Sequence, residues 1–453
     1  MRGILIGSVV TVWVAYLIVR KYKPQSALFL GALVLMACSI LLRTGEILPP
    51  KQSTGLVWLD PFDLIRATLS TRTAGLGLLI MSVAGFARYM DHIGASRALV
   101  NLAIKPLMKL HAPYVVLSAG YVLGQVLALF IPSAAGLGVL LMVTMYPILV
   151  SLGVSRLSAA AMIGTTQSLD IGPASGNSIL SATNAGMSIT TYFVHYQIPA
   201  GLCIVGTVAV LHYVVQRWGD RKYREPAMAA DPSANPEAVE RAPAVYALLP
   251  VIPLLLILGF SDLGIKAIKM DVVTAMLIST ALTMLFEYIR RRDAKTVFGS
   301  LQVFFDGMGV QFATVITLIV AGEVFGLGLK AIGAVDGIIQ AAQALGFGSG
   351  AMILVMTAII AVSAVVMGSG NAPFFAFAAL APSVAKKMAI APVFMLLPMQ
   401  FGASIARSVS PITAVIVAVS GIANLSPVEV IKRTALPMAG AMVVNVIAGF
   451  LLR

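Results

Sequence analysis

The sequence predicts an all-α polytopic membrane protein made of two inverted repeats, each with five transmembrane helices, one of them interrupted, and one re-entrant hairpin. The first supporting observation is composition: 59% of the 453 residues are hydrophobic and only 11% are charged, which excludes a soluble globular domain. The second is the recurrence of apolar runs long enough to span a bilayer. The third is a pair of motifs rich in Gly, Pro and Ser that occurs once in each half of the chain.

The apolar runs begin near the N-terminus with GILIGSVVTVWVAYLIV and continue with ALFLGALVLMACSILL, IPAGLCIVGTVAVLHYVV and MAGAMVVNVIAGFLL. A helix of about 20 apolar residues crosses a hydrocarbon core about 30 Å thick. The first run is too long for a cleaved signal peptide, and another run follows it at once. We therefore expect a retained first helix and a chain embedded in the lipid bilayer.

A polar stretch at residues 217–243 divides the chain into two halves. It is rich in charge, Pro and Ala and poor in aliphatic residues, which indicates a linker. The first repeat is then residues 1–216 and the second is residues 244–453. The halves share local sequence similarity, since HIGASRALVNLA in the first resembles AIGAVDGIIQAA in the second.

Each half contains a short motif of small residues at which we predict the tip of a hairpin. The first hairpin covers residues 113–151 around IPSAAGLGV, and the second covers residues 350–388 around MGSGNAPFF. An interrupted helix follows each hairpin, at residues 156–181 and 391–420. Irregular backbone inside a membrane is tolerated only where it is buried in protein or lines a water-filled cavity. The two pairs of motifs therefore predict a solute site near the bilayer midplane.

The number of crossings relates the two halves to each other. Because a re-entrant hairpin enters and leaves on one face, each half has five crossings, and an odd number turns the second half upside down relative to the first. Most of the chain's 31 Lys and Arg residues lie in loops on the same face as the linker. This bias predicts a cytoplasmic linker and both termini on the opposite face.

The formal net charge of +13 does not indicate a nucleic-acid partner, because the basic residues lie in short loops between spans. The two cysteines, Cys38 and Cys203, lie in apolar spans without metal-ligand spacing and are interpreted as small buried hydrophobes. The histidines are expected at span ends, with no paired spacing for a metal; they are His92, His111, His195 and His212. No catalytic triad order or cofactor fingerprint is present, so we expect neither an enzyme nor a cofactor.

Hairpin tips and helix breaks expose helix N-termini, whose N–H groups and dipoles attract anions. We expect small, neutral residues there to orient a substrate anion; in the first half they are Ser133, Ala134, Ala135, Gly136, Ser175, Gly176 and Asn177. In the second half they are Gly368, Ser369, Gly370, Asn371, Ser408 and Ser410. The alternative is that these small residues serve only close helix packing.

Arg407 is the one basic residue deep within an apolar span, where an unpaired charge costs about 2.5–3.5 kcal/mol on insertion scales. Its planar guanidinium suits a carboxylate, so a bound substrate anion is one interpretation. The other is a structural pair with Asp170 or hydrogen bonds to nearby carbonyls. Both interpretations remain open from the sequence.

Asp170 occupies the matching break of the first half. With Thr166 and Gln167 it forms a candidate coupling-ion site for H⁺ or Na⁺, unless it pairs with the arginine of the second half. A sodium ion near the hairpin tips is the only metal that we expect. Two other charged residues, Glu323 and Arg88, are expected to face a vestibule or an interface.

Four segments carry a resemblance to a known family: SAAGLGVLLMVTMYP, GPASGNSILSATNAGMS, MGSGNAPFFAF and SPITAVIVAVSGIANLSPVEVIKRTALP. They resemble the DcuC-type anaerobic C4-dicarboxylate carriers, over nearly the whole chain. The resemblance implies a secondary transporter of succinate, fumarate and malate in the bacterial inner membrane. In such a membrane, the charge bias places both termini in the periplasm. More distantly the resemblance implies the ion-transporter superfamily, in which a transport domain carrying the tips and breaks moves against a scaffold, as in an elevator.

Two departures from the family pattern lie at the expected site: Pro132 stands where a serine is usual, and TTQSLD is more polar than expected. They leave the substrate and the coupling ion open. One alternative is a carrier of another organic anion or an amino acid, whose ammonium group Asp170 would meet. The other is the ion-translocating membrane subunit of a decarboxylase, which needs soluble catalytic partners. We expect a homodimer whose ligand is a small organic anion.

Overall fold

The computed structural model describes residues 2–223, 242–261, 264, 265, 268, 270–335, 337, 340 and 348–452. Most of these described residues are helical, and none of them lies in a β-strand. The predicted all-α class is therefore confirmed. Residues 217–223 continue a helix, and residues 224–241 of the predicted linker lie outside the described residues.

The first half contains helices that differ widely in length. In chain order they are α1 Arg2–Val19, α2 Pro24–Leu42, α3 Asp60–Arg72, α4 Leu78–His92, α5 Ala95–Ile104, α6 Pro113–Ala128, α7 Ala134–Thr144, α8 Tyr146–Ser151, α9 Arg156–Gly164, α10 Gly176–Ala185, α11 Ile189–Tyr192 and α12 Ile198–Tyr223. A π-helical turn, Thr73–Gly77, joins α3 to α4, and a second, Phe193–Gln197, joins α11 to α12. These joined helices are therefore continuous.

The second half begins with a 3₁₀ segment, Ala244–Val251, that leads directly into its first helix. In chain order the helices are α13 Ile252–Gly259, α14 Val272–Arg291, α15 Ala294–Gln311, α16 Thr317–Ala331, α17 Ser349–Met367, α18 Asn371–Phe377, α19 Ala381–Lys387, α20 Val393–Arg407, α21 Ala414–Ala423 and α22 Pro427–Leu451. A π-helical turn, Phe312–Ile316, joins α15 to α16. Both halves thus contain a long helix with a π-helical turn before their hairpin.

Within the described residues, seven continuous helices are long and apolar enough to cross a membrane. They are Pro24–Leu42, Asp60–His92, Ile189–Lys222, Val272–Arg291, Ala294–Ala331, Ser349–Met367 and Pro427–Leu451. Shorter apolar helices, including α6, α7, α20 and α21, lie between them. The prediction of a multi-pass membrane protein is therefore confirmed.

Local sequence explains where the helices stop inside the apolar region. Gly368, at φ 65°, ends α17 in the left-handed conformation that glycine adopts without steric cost. Gly172, at φ 104°, and Pro173 lie between α9 and α10, and Pro173 lacks the N–H that a continuing helix needs. Ser175 then caps α10 by accepting a hydrogen bond from the Ser178 N–H.

Buried apolar side chains form two clusters. One joins α2, α16 and the return arm of the second hairpin, with Leu35, Phe325 and Phe374 fully buried. The other joins α6, α7, α9 and α12 of the first half to α20, α21 and α22 of the second, around Tyr121 and Phe401. The first hairpin and the second interrupted helix therefore share one core.

An ion pair fastens α3 to α16 across the two halves. Arg72 Nε lies 2.5 Å from Glu323 Oε2, and Arg72 donates a second hydrogen bond of 2.7 Å to Oε1. The two side chains are 25% and 21% exposed. The structure thus places Glu323 at an interface, one of the two positions expected for it, whereas Arg88 lies exposed on α4.

We predict that Glu323→Gln lowers the stability of the purified protein by about 1–3 kcal/mol, because Arg72 then loses the carboxylate that compensates its charge. The thermal midpoint in detergent measures the change, and the double Arg72→Gln, Glu323→Gln variant should recover part of it. Asp63→Asn is the control, since it breaks only the exposed Arg66–Asp63 pair. Equal midpoints for Glu323→Gln and Asp63→Asn would contradict the prediction.

Candidate functional site

The interruption between α9 and α10 is the first half of the candidate site. Its side chains Thr166, Gln167 and Ser168 are all buried. The Thr166 hydroxyl donates to Ile163 O at 2.7 Å, and the Gln167 amide donates to Ile131 O, next to the first hairpin tip, at 3.2 Å. The broken backbone therefore packs against the first hairpin instead of facing lipid.

Asn177 connects this interruption to the second hairpin. Its Nδ2 lies 2.7 Å from Asp170 Oδ2 and 3.0 Å from Asn371 Oδ1, and its side chain is fully buried. The structure therefore brings together three residues that the sequence singled out in separate segments. Among the described atoms, Asn177 Oδ1 has no hydrogen-bond partner, which leaves one buried acceptor at the meeting point of the two halves.

Arg407 ends α20 and is 8% exposed. One of its terminal nitrogens donates to Gln167 O at 2.8 Å, which is its one acceptor within the described chain. A Cβ added at Gly370 would lie 3.1 Å from Arg407 Cδ, so the second hairpin tip packs directly on this side chain. The guanidinium thus lies between the second tip and the first interruption.

The two charged side chains of the site, buried Arg407 and half-buried Asp170, do not contact each other directly. Among the residues that the structure describes, Arg407 and Asp170 form no ion pair within 4.0 Å. Each contacts a neutral group instead: the Gln167 carbonyl accepts from Arg407, and the Asn177 amide donates to Asp170. A guanidinium has five N–H donors, so one carbonyl leaves most of them available to another acceptor.

Gln400 is a residue of this site that sequence reasoning missed. Its Nε2 donates to Asp170 O at 2.6 Å, and its Oε1 accepts from Ser181 at 2.8 Å and from Tyr192 at 2.7 Å. The side chain is fully buried. The available signal was an amide two helical turns before Arg407, on the same face of an apolar helix.

The hydroxyl groups that were predicted to contact the substrate form hydrogen bonds with the main chain instead. Ser133 accepts from Gly136 N, Ser369 from Ala372 N, and Ser410 donates to Val365 O at 2.6 Å. Ser175 caps α10, which begins at Gly176, and Ser408 lies 3.4 Å from Ser404 O. Gly368 packs on the second interruption, since an added Cβ would lie 2.7 Å from Ile412. These residues therefore shape the tips and breaks in this structure.

The tip of the first hairpin is not hydrogen-bonded to the charged residues Asp170 and Arg407. Within the described residues, no hydrogen bond joins Ser133, Ala134, Ala135 or Gly136 to Asp170, Arg407 or Asn371. Ala135 and Gly136 instead line a cavity next to α5. The structure therefore gathers the site from the two interruptions and the second tip, with the first tip linked through Gln167.

His212 corrects one sequence prediction. It was expected at the end of a span, but it is fully buried within α12, because that helix continues through the charged residues up to Tyr223. Its Nε2 lies 2.8 Å from Thr165 Oγ1, and its Nδ1 lies 3.3 Å from Gln216 Nε2. His212 therefore stabilises the start of the first interruption from α12.

Three comparisons relate the chain to known proteins. A profile of the C4-dicarboxylate anaerobic carriers, DcuC, matches residues 3–452. The probable anaerobic C4-dicarboxylate transporter DcuC of Vibrio cholerae is 35% identical over 100% of this chain and 98% of its own. The anaerobic C4-dicarboxylate transporter DcuC of Escherichia coli K12 is 36% identical over 98% of this chain and 95% of its own.

A solved structure supports the fold alone. The crystal structure of the Alcanivorax borkumensis YdaH transporter, described as having an unusual topology, superposes with a TM-score of 0.61 at 15% identity, covering 94% of this chain and 97% of that one. The predicted family resemblance is confirmed by the full-length matches. The chain belongs to the DcuC family of C4-dicarboxylate anaerobic carriers, whose members are transporters and not enzymes.

Proposed function

We propose that this protein is a secondary active transporter of C4-dicarboxylates such as succinate, fumarate and malate. The observation that carries the proposal is Arg407, a buried guanidinium with one acceptor among the described residues, held between the second hairpin tip and the first interruption. Inside a membrane such a cation needs a compensating anion. The names of the full-length relatives supply the chemical class of that anion.

A dicarboxylate has two ends to hold. In this proposal Arg407 binds one carboxylate through two parallel N–H···O bonds, the geometry that a guanidinium favours. The second carboxylate meets the Asn371 side-chain amide and the N-terminus of α10, which begins at Gly176. The remaining small residues at the tips leave room for the solute to approach the backbone.

Asp170 is the proposed coupling group. Its carboxylate and the unpartnered Asn177 Oδ1 are neighbouring oxygen acceptors, the ligand type that a sodium ion or a proton requires. The Gln167 carbonyl accepts from Arg407, and the Thr166 hydroxyl already donates to Ile163 O. Coupling would link the charge state of Asp170 to solute bound at Arg407. Exchange without a coupling ion is the alternative.

Two inverted repeats and an elevator-like alternating-access mechanism are part of the same proposal. Each half contains a long helix with a π-helical turn, then the helices of the predicted hairpin, then an interrupted helix. This repeated order supports a duplicated unit related by inversion. We further propose a homodimer in a bacterial inner membrane, with the linker cytoplasmic and the termini periplasmic.

The topology predicts that the loop after α2 and the loop after α8 lie on opposite faces of the membrane. Lys51→Cys and Ser151→Cys, each in a Cys38→Ala, Cys203→Ala background, should react with an impermeant maleimide from opposite sides of oriented vesicles. Ser233→Cys in the linker, which lies outside the described residues, should react from the same side as Ser151→Cys. Labelling of Lys51→Cys and Ser151→Cys from one side would refute the inverted arrangement.

The hairpin tips predict sensitivity to side-chain bulk. Gly370→Val should abolish succinate uptake while the protein still reaches the membrane, because an added Cβ would lie 2.9 Å from Ala403 O. Ala135→Val at the first tip should do the same. Gly421→Val is the matched control, since a Cβ there meets nothing within 4 Å. Normal uptake by Gly370→Val would place the solute elsewhere.

Arg407 and Asp170 give the central test, measured as succinate uptake into proteoliposomes at several pH values and sodium concentrations, with fumarate, malate and amino acids as competitors. Arg407→Lys should raise the half-saturation constant about 10–100-fold, because an ammonium loses one charge-assisted hydrogen bond of about 1.5–3 kcal/mol. The maximal rate should change less. Arg88→Lys, on an exposed side chain, is the control.

In the same assay, Asp170→Asn should flatten the dependence of uptake on pH or sodium while succinate still binds. If the two charges serve only as a structural pair, each single change should destabilise the protein and the double neutral variant should recover stability. Recovery of transport in that double variant would refute both proposed roles. Stronger competition by an amino acid than by fumarate would favour the alternative substrate class.

A further inference from the structure

A cavity that is distinct from the charged site lies between α5 and the tip of the first hairpin. Its volume is about 610 Å³. Ala135 and Gly136 of the tip line one side of it, and Arg97, Asn101 and Lys105 line another. The cavity is therefore the place where the first hairpin tip meets charged side chains.

The three polar residues form one row along α5 and the residue that directly follows it. Arg97, Asn101 and Lys105 are spaced four residues apart, so their side chains follow one another along the helix. Val100 and Ile104 flank this row on one side and are buried in the core that also contains the first hairpin. Packing of these two apolar side chains fixes the orientation of α5, and the polar row beside them lines the cavity.

The two cations on this face lack protein partners. Within the described chain, neither the Arg97 guanidinium nor the Lys105 ammonium makes a hydrogen bond or an ion pair. Asp91 also lines the cavity, so the three charged side chains leave it with an excess of positive charge. A concave surface with one sign of charge raises the local concentration of the opposite ion and speeds its association.

We propose that this cavity is an anion vestibule, in which Arg97 and Lys105 attract the dicarboxylate and the Asn101 amide guides it to the first hairpin tip. This inference rests on the proposed transport function and adds a second binding region to it. The size of the cavity, about 610 Å³, admits the solute together with water. Capture here accelerates loading of the carrier without taking part in the movement across the membrane.

The first test measures the cavity's electrostatics without transport. Asn101→Cys, in a Cys38→Ala, Cys203→Ala background in phosphatidylcholine vesicles, reacts with methanethiosulfonates carrying either a sulfonate or a trimethylammonium group. The quantity compared is the rate with the sulfonate reagent divided by the rate with the trimethylammonium reagent. This ratio should be at least about fivefold higher at Asn101→Cys than at Ser151→Cys, because two unpaired cations lie within a few helical turns of residue 101. Succinate should slow the labelling of Asn101→Cys.

Adding Arg97→Gln and Lys105→Gln to Asn101→Cys should reduce the reagent ratio to that of Ser151→Cys. An unchanged ratio would overturn the proposal. Loss of the preference for the sulfonate reagent when phosphatidylglycerol is added to the vesicles would also overturn the proposal. The cations would then bind lipid headgroups. A preserved reagent preference in a carrier that takes up no succinate would refute the proposed function and leave the anion vestibule standing.

The second test measures uptake from the face on which the vestibule opens. Arg97→Gln and Lys105→Gln should each raise the half-saturation constant for succinate about threefold to tenfold at low salt, with little change in maximal rate and a smaller effect at high salt. Lys109→Gln is the matched control, because Lys109 lies one turn beyond Lys105 and outside the lining of the cavity. An equal effect of Lys109→Gln would overturn the assignment.

Discussion

The site depends on one constraint: main-chain groups freed by a helix break inside a membrane must find partners within the protein, since each unsatisfied group costs several kcal/mol. In the interruption between α9 and α10 these partners are long polar side chains from other helices. The pairs are Gln125 with Thr165 O, Arg407 with Gln167 O, Gln400 with Asp170 O, and Gln197 with Gly172 N. The break is thus stabilised by α6, α20 and the π-helical turn that precedes α12.

Two of these partners come from the second half of the chain, which ties the two interruptions to each other. Gln400 and Arg407 lie two turns apart on one face of α20, and both donate to the first interruption. The same helix packs on the second hairpin through Gly370. A movement of α20 would therefore act on the first break and the second tip together, which gives the proposed transport domain a physical basis.

The sequence predicted what local chemistry determines. Long apolar runs gave the helical membrane class, and Gly172, Pro173 and Gly368 stand where helices end, because proline and left-handed glycine act on their own backbone. Gln400 and the buried position of His212 were missed, because their roles depend on partners far away in the chain. A single amide or imidazole in an apolar run does not reveal which distant group it will meet.

The separation of Asp170 from Arg407 bears on how such a site can release its solute. A direct buried ion pair would satisfy both charges permanently, and opening it would leave each uncompensated. Here neutral dipoles hold both groups: Asn177 donates to Asp170, and Gln167 O accepts from Arg407. In the proposed function, this arrangement keeps the guanidinium oriented while leaving it free to exchange a carboxylate, as a carrier that must bind and release the same solute requires.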